Sequence, residues 1–400
     1  MRSEPSTHPV ARTPDEWREA LAALGARAFR AREVFQWIHK RGVLEPSAMT
    51  SLDASLRAKI FEGAESVGAV EHVHRSSDDT RKAVLSMKDG ARIETVLIPR
   101  VSGPKKFEGG LPGRSTGAED DDEPDADVAA IDEPDDEPEL AGQKTRVTQC
   151  ISTQVGCAMG CVFCASGVAG LKRHLGAEEI VGQILLGRTL LDEGEELRNV
   201  VFMGMGEPLH NYAATKRALE LMTHPEGIGL SKRRVTVSTS GLVPEIDRLG
   251  EDFAGQIGLA ISLHAADDET RGALMPINKK YPLAELVAAL RRYPLPKRRR
   301  ITIEYTLVLG KNDDRAEAKK LATLLRGIPV KINLIPMNPI ELSSLGPPDG
   351  ARVEAFQSVL IEAGYSCFVR RRRGDDVAAA CGQLALSGAK PKVRSLLRRS

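Results

Sequence analysis

The segment Cys150-Ile-Ser-Thr-Gln-Val-Gly-Cys157-Ala-Met-Gly-Cys161-Val-Phe-Cys164 decides how the rest of the chain is read. Cys157, Cys161 and Cys164 are spaced C-x3-C-x2-C, and Cys150 stands seven residues before them. Thiolates this close in sequence can wrap one compact metal centre, and iron–sulfur clusters normally take four such ligands. A cubane held by only three leaves one iron open to another ligand. The competing reading is a structural zinc site of three cysteines and one histidine, with His174 or His210 as the fourth ligand. It is the weaker one, because a long strand–helix alternation follows and not a small closed finger.

Outward from the cysteines, the downstream chain alternates strand and helix. Hydrophobic runs predict strands at 146–152, 199–203, 234–240, 258–263, 301–309 and 330–335. Helical periodicity predicts helices at 178–191, 212–222, 243–249, 283–291 and 314–325, with a last one at 351–363. Repeated βα units imply parallel strands with helical crossovers, here six of them, hence an α/β open barrel and not the closed eight-unit form. Functional loops are then expected at the C-terminal ends of the strands. Gly204-Met-Gly206-Glu207-Pro208, Ser238-Thr-Ser-Gly241, Ser262-Leu263-His264 and Asn338-Pro339 all fall there. Each is weak alone, since a Gly-rich turn is usually only a turn. Their common placement carries the weight.

Upstream lies a small helical module. Thr13-Pro14-Asp15-Glu16 is a capping signal, with Trp17, Leu21 and Leu24 following at helical spacing. Further helices are expected at 31–40 and 52–61, and strands at 72–76, 82–87 and 92–99. In the last strand Glu94 shares a face with Val96 and Ile98, so this carboxylate has either a partner or a task. The domain boundaries expected are 13–100 for the helical module and its strands, 101–144 for an insertion, 145–366 for the barrel, and 367–400 for a C-terminal strand, a loop around Cys381 and a basic tail.

The insertion holds 13 acidic residues and no Lys or Arg between Glu119 and Glu139. It is too polar to offset its ordering entropy and is expected to be disordered. With those 13 set aside, a chain of formal charge +1 leaves a body of +14, which suits a phosphate-rich partner. The basic runs 232–234, 297–300, 370–373 and 390–399 are candidate phosphate contacts. Four of six cysteines in one short segment argue for metal or redox chemistry in a reducing compartment. No apolar run approaches a membrane span and residues 1–16 lack a signal-peptide core, so a soluble, cytoplasmic protein without a membrane partner is expected.

The three-cysteine spacing is the signature of radical SAM enzymes, whose open iron binds S-adenosylmethionine. Segments 150–164, 204–211, 238–243, 262–264, 277–282, 333–339 and 373–384 closely resemble the RlmN family. These are dual-specificity adenine-C2 methyltransferases acting on large-subunit ribosomal RNA and on transfer RNA, related to the Cfr resistance methylases. Cys150 and Ala379-Ala-Cys381-Gly-Gln-Leu384 narrow the likeness to this family, which runs over nearly the whole chain from about Ala28. It implies a radical SAM partial (β/α)6 barrel with an N-terminal helical accessory domain. By position, Cys157, Cys161 and Cys164 resemble the ligands of one 4Fe-4S cluster. Gly206 and Glu207 resemble the turn contacting the methionine part of S-adenosylmethionine, and Ser238, Ser262, Leu263, His264 and Asn338 its other contacts. Cys381 resembles the cysteine that becomes methylated, Cys150 the one that resolves the intermediate, and Glu94 the proton acceptor.

The chemistry so implied uses two molecules of S-adenosylmethionine per turnover. One methylates Cys381; the second is cleaved to a 5′-deoxyadenosyl radical that takes hydrogen from the new S-methyl group. The methylene radical adds to adenine carbon 2, a base removes the proton there, and Cys150 attacks the Cys381 sulfur, leaving a disulfide. An external reductant such as flavodoxin or ferredoxin is implied, with 23S rRNA and tRNA as substrates and a monomeric enzyme. The alternatives are Cfr-like methylation of carbon 8 and a non-catalytic iron–sulfur RNA-binding protein. Two features depart from the family pattern: His174 stands where Asn is common, and the acidic insertion separates Glu94 from Cys150.

Overall fold

Thr13 caps the first helix, α1 (Pro14–Ala23), reciprocally: its Oγ1 accepts from the Glu16 amide at 3.3 Å, while Glu16 Oε2 accepts from the Thr13 amide at 2.8 Å. α2 (Arg30–Phe35) runs on into a π-helical turn (Gln36–Lys40), and Asp53 caps α3 (Ala54–Ile60). Trp17, Leu21, Val34, Phe35 and Ile38 are fully buried, so most of the apolar spacing read from the sequence is core. Leu24 is exposed, and Trp37 is only half-buried, donating from Nε1 to Ser51 Oγ at 2.8 Å beneath the Arg41 guanidinium.

The structure, a computed structural model, describes residues 8–64, 66–100, 144–340, 343–370 and 373–384. The acidic stretch 119–139 and the basic tail, both singled out above, lie outside the described residues. The strands in chain order are β1 (Ala69–Arg75), β2 (Arg81–Ser86), β3 (Arg92–Pro99), β4 (Thr145–Cys150), β5 (Gln154–Val155), β6 (Arg173–His174) and β7 (Glu195–Phe202). Then come β8 (Val235–Thr239), β9 (Gly258–Ser262), β10 (Ile301–Leu307), β11 (Val330–Pro336) and β12 (Cys367–Val369). Ten of them form one sheet in the order β1-β2-β3-β4-β7-β8-β9-β10-β11-β12, while β5 and β6 pair separately. The steps from β1 to β4 are antiparallel, and every step from β4 to β12 is parallel.

Helices fill the crossovers: α4 (Ala165–Ala169), α5 (Ala177–Arg188), α6 (Tyr212–Met222), α7 (Val243–Phe253), α8 (Asp268–Leu274), α9 (Leu283–Arg292), α10 (Arg315–Leu324) and α11 (Gly350–Glu362). This is the mixed α/β architecture expected, with one addition. β12 joins the sheet as a further parallel strand beside β11. Covered on both faces, β10 is buried along its whole length, as parallel strands in α/β folds are. β1, at the outer edge, carries Glu71, His72 and His74 and is mostly exposed.

The edge strands β1 and β12 do not pair with each other. Instead the chain beyond β12 runs back to the turn between β1 and β2. The Gly374 amide donates to Asp78 Oδ2 at 3.1 Å, Arg373 Nη2 donates to the Pro99 carbonyl at 2.9 Å, and the Ser77 amide donates to Asp376 Oδ2 at 3.0 Å. Among the described residues, no helix is long and apolar enough to cross a membrane.

Candidate active site

Beyond β4 the chain turns through β5 into the loop that carries the three clustered cysteines and ends in α4. Gly156 makes the entry at φ +78°, where a Cβ would lie 1.9 Å from the Gly170 carbonyl oxygen, so no other residue fits. The Val162 amide donates to the Leu274 carbonyl at 3.1 Å, fastening the loop to the end of α8. Cys157 and Cys161 are buried and Cys164 half-buried. Burial raises all three thiols, that of Cys157 to about 12, and the neighbouring sulfurs push Cys161 further the same way. Protein alone therefore keeps them protonated. Iron cations reverse that balance and ionise a ligating thiol outright, so the donor set suits a metal cluster.

The histidines of the zinc alternative are engaged elsewhere. Gln154 Nε2 lies between His174 Nδ1 (3.0 Å) and His210 Nδ1 (3.2 Å).

The strand-end motifs converge beside this loop. Gly206 has φ +104°, and a Cβ there would lie 2.6 Å from Gln154 Cβ. Glu207 is buried: its Oε2 accepts from the Ser240 amide (2.7 Å) and hydroxyl (2.8 Å), and its Oε1 from the Leu209 amide (3.1 Å). Burial pushes its carboxyl upward and these hydrogen bonds oppose that push. Ser238 lies on β8 and Ser262 ends β9, both half-buried, while Leu263 belongs to the core. His264 adopts φ +57°, accepts from the Thr306 amide at 2.9 Å through Nδ1, and stands edge-on to Phe163 at 4.8 Å. Burial and then Arg271 lower its imidazole to about 3, which keeps it neutral.

Arg271 is a residue that the sequence reading missed. Fully buried on α8, it donates to the carbonyls of Ser240 (2.7 Å) and Leu263 (3.0 Å) and to Asn278 Oδ1 (2.8 Å), linking the ends of β8 and β9. Burial lowers its guanidinium to about 10, still a cation at neutral pH. A lone arginine in a short polar helix carries no sequence signal beyond solvated charge.

The three candidates for chemistry gather at one place. Strand register sets Val96 opposite both Lys82 on β2 and Cys150 on β4, with Glu94 two residues before Val96, so all four share a face of the sheet. Glu94 is buried, and its Oε1 lies 3.2 Å from Lys82 Nζ. Cys381, exposed, sits in the turn that follows the hairpin contacts described above. Its carbonyl accepts from Asn338 Nδ2 at 2.9 Å, the Ala165 amide donates to the Gly382 carbonyl at 2.8 Å, and Ser166 Oγ donates to the Leu384 carbonyl. The Cys381 turn is therefore bonded to α4, the helix that follows Cys164. Burial first, and then the Cys381 sulfur, raise the Cys150 thiol well above its ordinary value. No disulfide joins these two in the structure.

Some of the basic runs are partly spent inside the protein. Arg234 is buried against Asn199, Arg300 donates to Ser366 Oγ at 2.8 Å, and Arg373 pairs with Asp78 at 3.0 Å. These three are engaged at least partly in contacts within the protein.

A family model described as the radical SAM superfamily matches residues 151–322, and one described as the ribosomal RNA large subunit methyltransferase N-terminal domain matches residues 13–65. A radical SAM methyltransferase from Sphaerobacter thermophilus has a similar structure, with TM-score 0.80 and 38% identity over 95% of this chain and 99% of that one. Fold and site thus define a radical SAM enzyme. A dual-specificity RNA methyltransferase RlmN from Sorangium cellulosum is 70% identical over 99% of this chain and all of its own length. Another, from Marinobacter nauticus, is 44% identical over 90% of this chain and 88% of its own. The chain belongs to the RlmN family of radical SAM RNA methyltransferases, and the reading as a non-catalytic RNA-binding protein is set aside.

Proposed function

We propose that this enzyme methylates carbon 2 of a specific adenosine in 23S rRNA and in tRNA, with the methyl group carried on Cys381. The observation that supports this reading most is the seat of the Cys381 turn: bonded to α4 at the end of the cysteine loop, beside Cys150, on the side of the sheet that carries Glu94. A binding protein needs no such convergence of two cysteines that are not cluster ligands.

Cys157, Cys161 and Cys164 would hold one 4Fe-4S cluster, and Gly206, Glu207, Ser238, Ser262, Leu263, His264 and Asn338 would surround S-adenosylmethionine. When bound, these groups supply the one-electron chemistry that activates a sulfur-borne methyl group, because an amidine carbon is too poor a nucleophile to attack a sulfonium directly. The protein's residues do the rest. Cys381, exposed in its turn, takes the methyl group on sulfur and presents it to an unstacked adenine. Glu94 accepts the proton that leaves carbon 2. Once the adduct has given up its unpaired electron to a one-electron acceptor, Cys150 attacks the Cys381 sulfur. The S–S bond forms, the S–CH2 bond breaks, the released carbon takes a proton to become the methyl group, and the disulfide left behind is reduced by an external thiol. A flavodoxin or ferredoxin would deliver electrons to a monomeric enzyme in the cytoplasm.

Nucleoside mass spectrometry of rRNA and tRNA incubated with the reconstituted enzyme tests the proposal. The expected product is 2-methyladenosine in both RNAs; 8-methyladenosine, or methylation of neither, would overturn it.

A further inference from the structure

Lys82 was not among the residues picked out from the sequence. It is a lysine with a side chain only 7% exposed, facing a glutamate only 2% exposed, inside a β-hairpin. Replacing a buried ion pair by apolar side chains is often neutral or stabilising, so the fold alone gives weak reason to keep one here. The Lys82 ammonium also donates to the Ala378 carbonyl at 3.3 Å. Ala378 lies three residues before Cys381, in the left-handed conformation at φ +50°. One ammonium therefore touches both the Glu94 carboxylate and the strained stem of the turn that carries Cys381. Nearby, Arg373 and Asp78 pair with each other at 3.0 Å, and Cys150 is held as a thiol.

We infer that Lys82 is a positioning residue that keeps Glu94 ionised and fixes it opposite the Cys381 turn. The inference rests on the reading of Glu94 as the proton acceptor. Burial favours the protonated form of a carboxyl group, and an ammonium 3.2 Å away favours the ionised one. A protonated Glu94 has no capacity to accept another proton. In the covalent adduct, the proton leaves carbon 2 for a Glu94 oxygen, the C–H electron pair stays in the purine ring, the adduct's unpaired electron passes to a one-electron acceptor of the iron–sulfur or flavin class, and the proton passes from Glu94 to solvent. Without the Lys82 charge that transfer slows after the RNA is already linked to Cys381.

Single-turnover assays on cluster-loaded wild type, K82M, E94Q, K82R and the K82M/E94Q double variant, with a transcript bearing the target adenosine, test this. Three readouts are taken: S-methylation of Cys381, covalent protein–RNA, and released methyladenosine. K82M is expected to retain Cys381 methylation, release at least tenfold less product and accumulate the covalent species. K82R should recover most of the release, and the double variant should be no worse than E94Q, because Lys82 acts through Glu94. Near-normal release by K82M alongside a defective E94Q overturns the inference alone, as does an equal loss from K82M in both backgrounds. Absence of Cys381 methylation in K82M overturns it too, since Lys82 would then act before Glu94 is needed. Wild-type release by E94Q removes the proton-acceptor assignment, and the inference with it.

Discussion

Glu207 is a buried carboxylate whose two oxygens accept from the backbone amides of Leu209 and Ser240, at the rim where a cationic ligand would complete it. Glu207→Gln keeps the shape, removes the charge and sets an amide against one of those amides. It should weaken S-adenosylmethionine binding at least tenfold, about 1.4 kcal/mol, by equilibrium dialysis on cluster-loaded protein; unchanged affinity would count against the assigned contact. His39 makes a different kind of prediction. Buried against Phe35 in the helical module, it is lowered from 6.5 to about 3 by burial, then by His224 and Arg188. Below pH 6.5 the unfolded chain takes up a proton that the folded site refuses. Stability present above 6.5 therefore falls as pH drops toward 3, by roughly 1.4 kcal/mol per pH unit. Urea unfolding should show His39→Leu losing about 2 kcal/mol less than wild type between pH 7 and pH 5, and an equal loss would contradict it. At this scale the sequence was legible where period and motif speak. Alternation placed Glu94 on its face, and the cysteine spacing marked its loop. Lys82 was within reach too, since the Lys88-Asp89-Gly90 turn sets the register that puts it diagonal to Glu94. Arg271 was not, because its burial is decided by carbonyls from two other strands.

Elements were read correctly where they are long. α6 and β3 match their expected bounds, and the other crossover helices differ by a few residues at their ends. α4 and α8 went unseen because five and seven residues show no helical period; α8 is set by the Asp267 cap and by packing on the cysteine loop. The turn after β7 is the element on which the candidate cofactor site depends most closely. Gly206→Ala would place a methyl group 2.6 Å from Gln154 Cβ at a φ that L-residues rarely adopt, displacing Glu207 with it. We expect folded, cluster-loaded protein with S-adenosylmethionine affinity lower by at least tenfold, readable by the same dialysis; normal affinity would show that the turn has room to relax.

At the scale of the whole molecule, the joining of the two ends of the sheet decides where Cys381 stands. That joining was invisible in the sequence, because Gly374 and Asp78 are 296 residues apart and their contact depends on the sheet's full course. Asp78→Ala would remove the acceptor of the Gly374 amide and the partner of Arg373. Amide exchange across 374–384 should accelerate and Cys381 methylation fall several-fold, with little change in cluster content; unchanged exchange would mean that the turn's other contacts hold it without Asp78. The central claim is that the two cysteines outside the cluster motif divide the work, Cys381 carrying the methyl carbon and Cys150 releasing it. Denaturing electrophoresis of Cys150→Ala after expression tests that most directly. The account predicts a protein covalently joined to RNA through Cys381 and lost when Cys381 is also replaced, whereas an unlinked Cys150→Ala enzyme with full activity would contradict it.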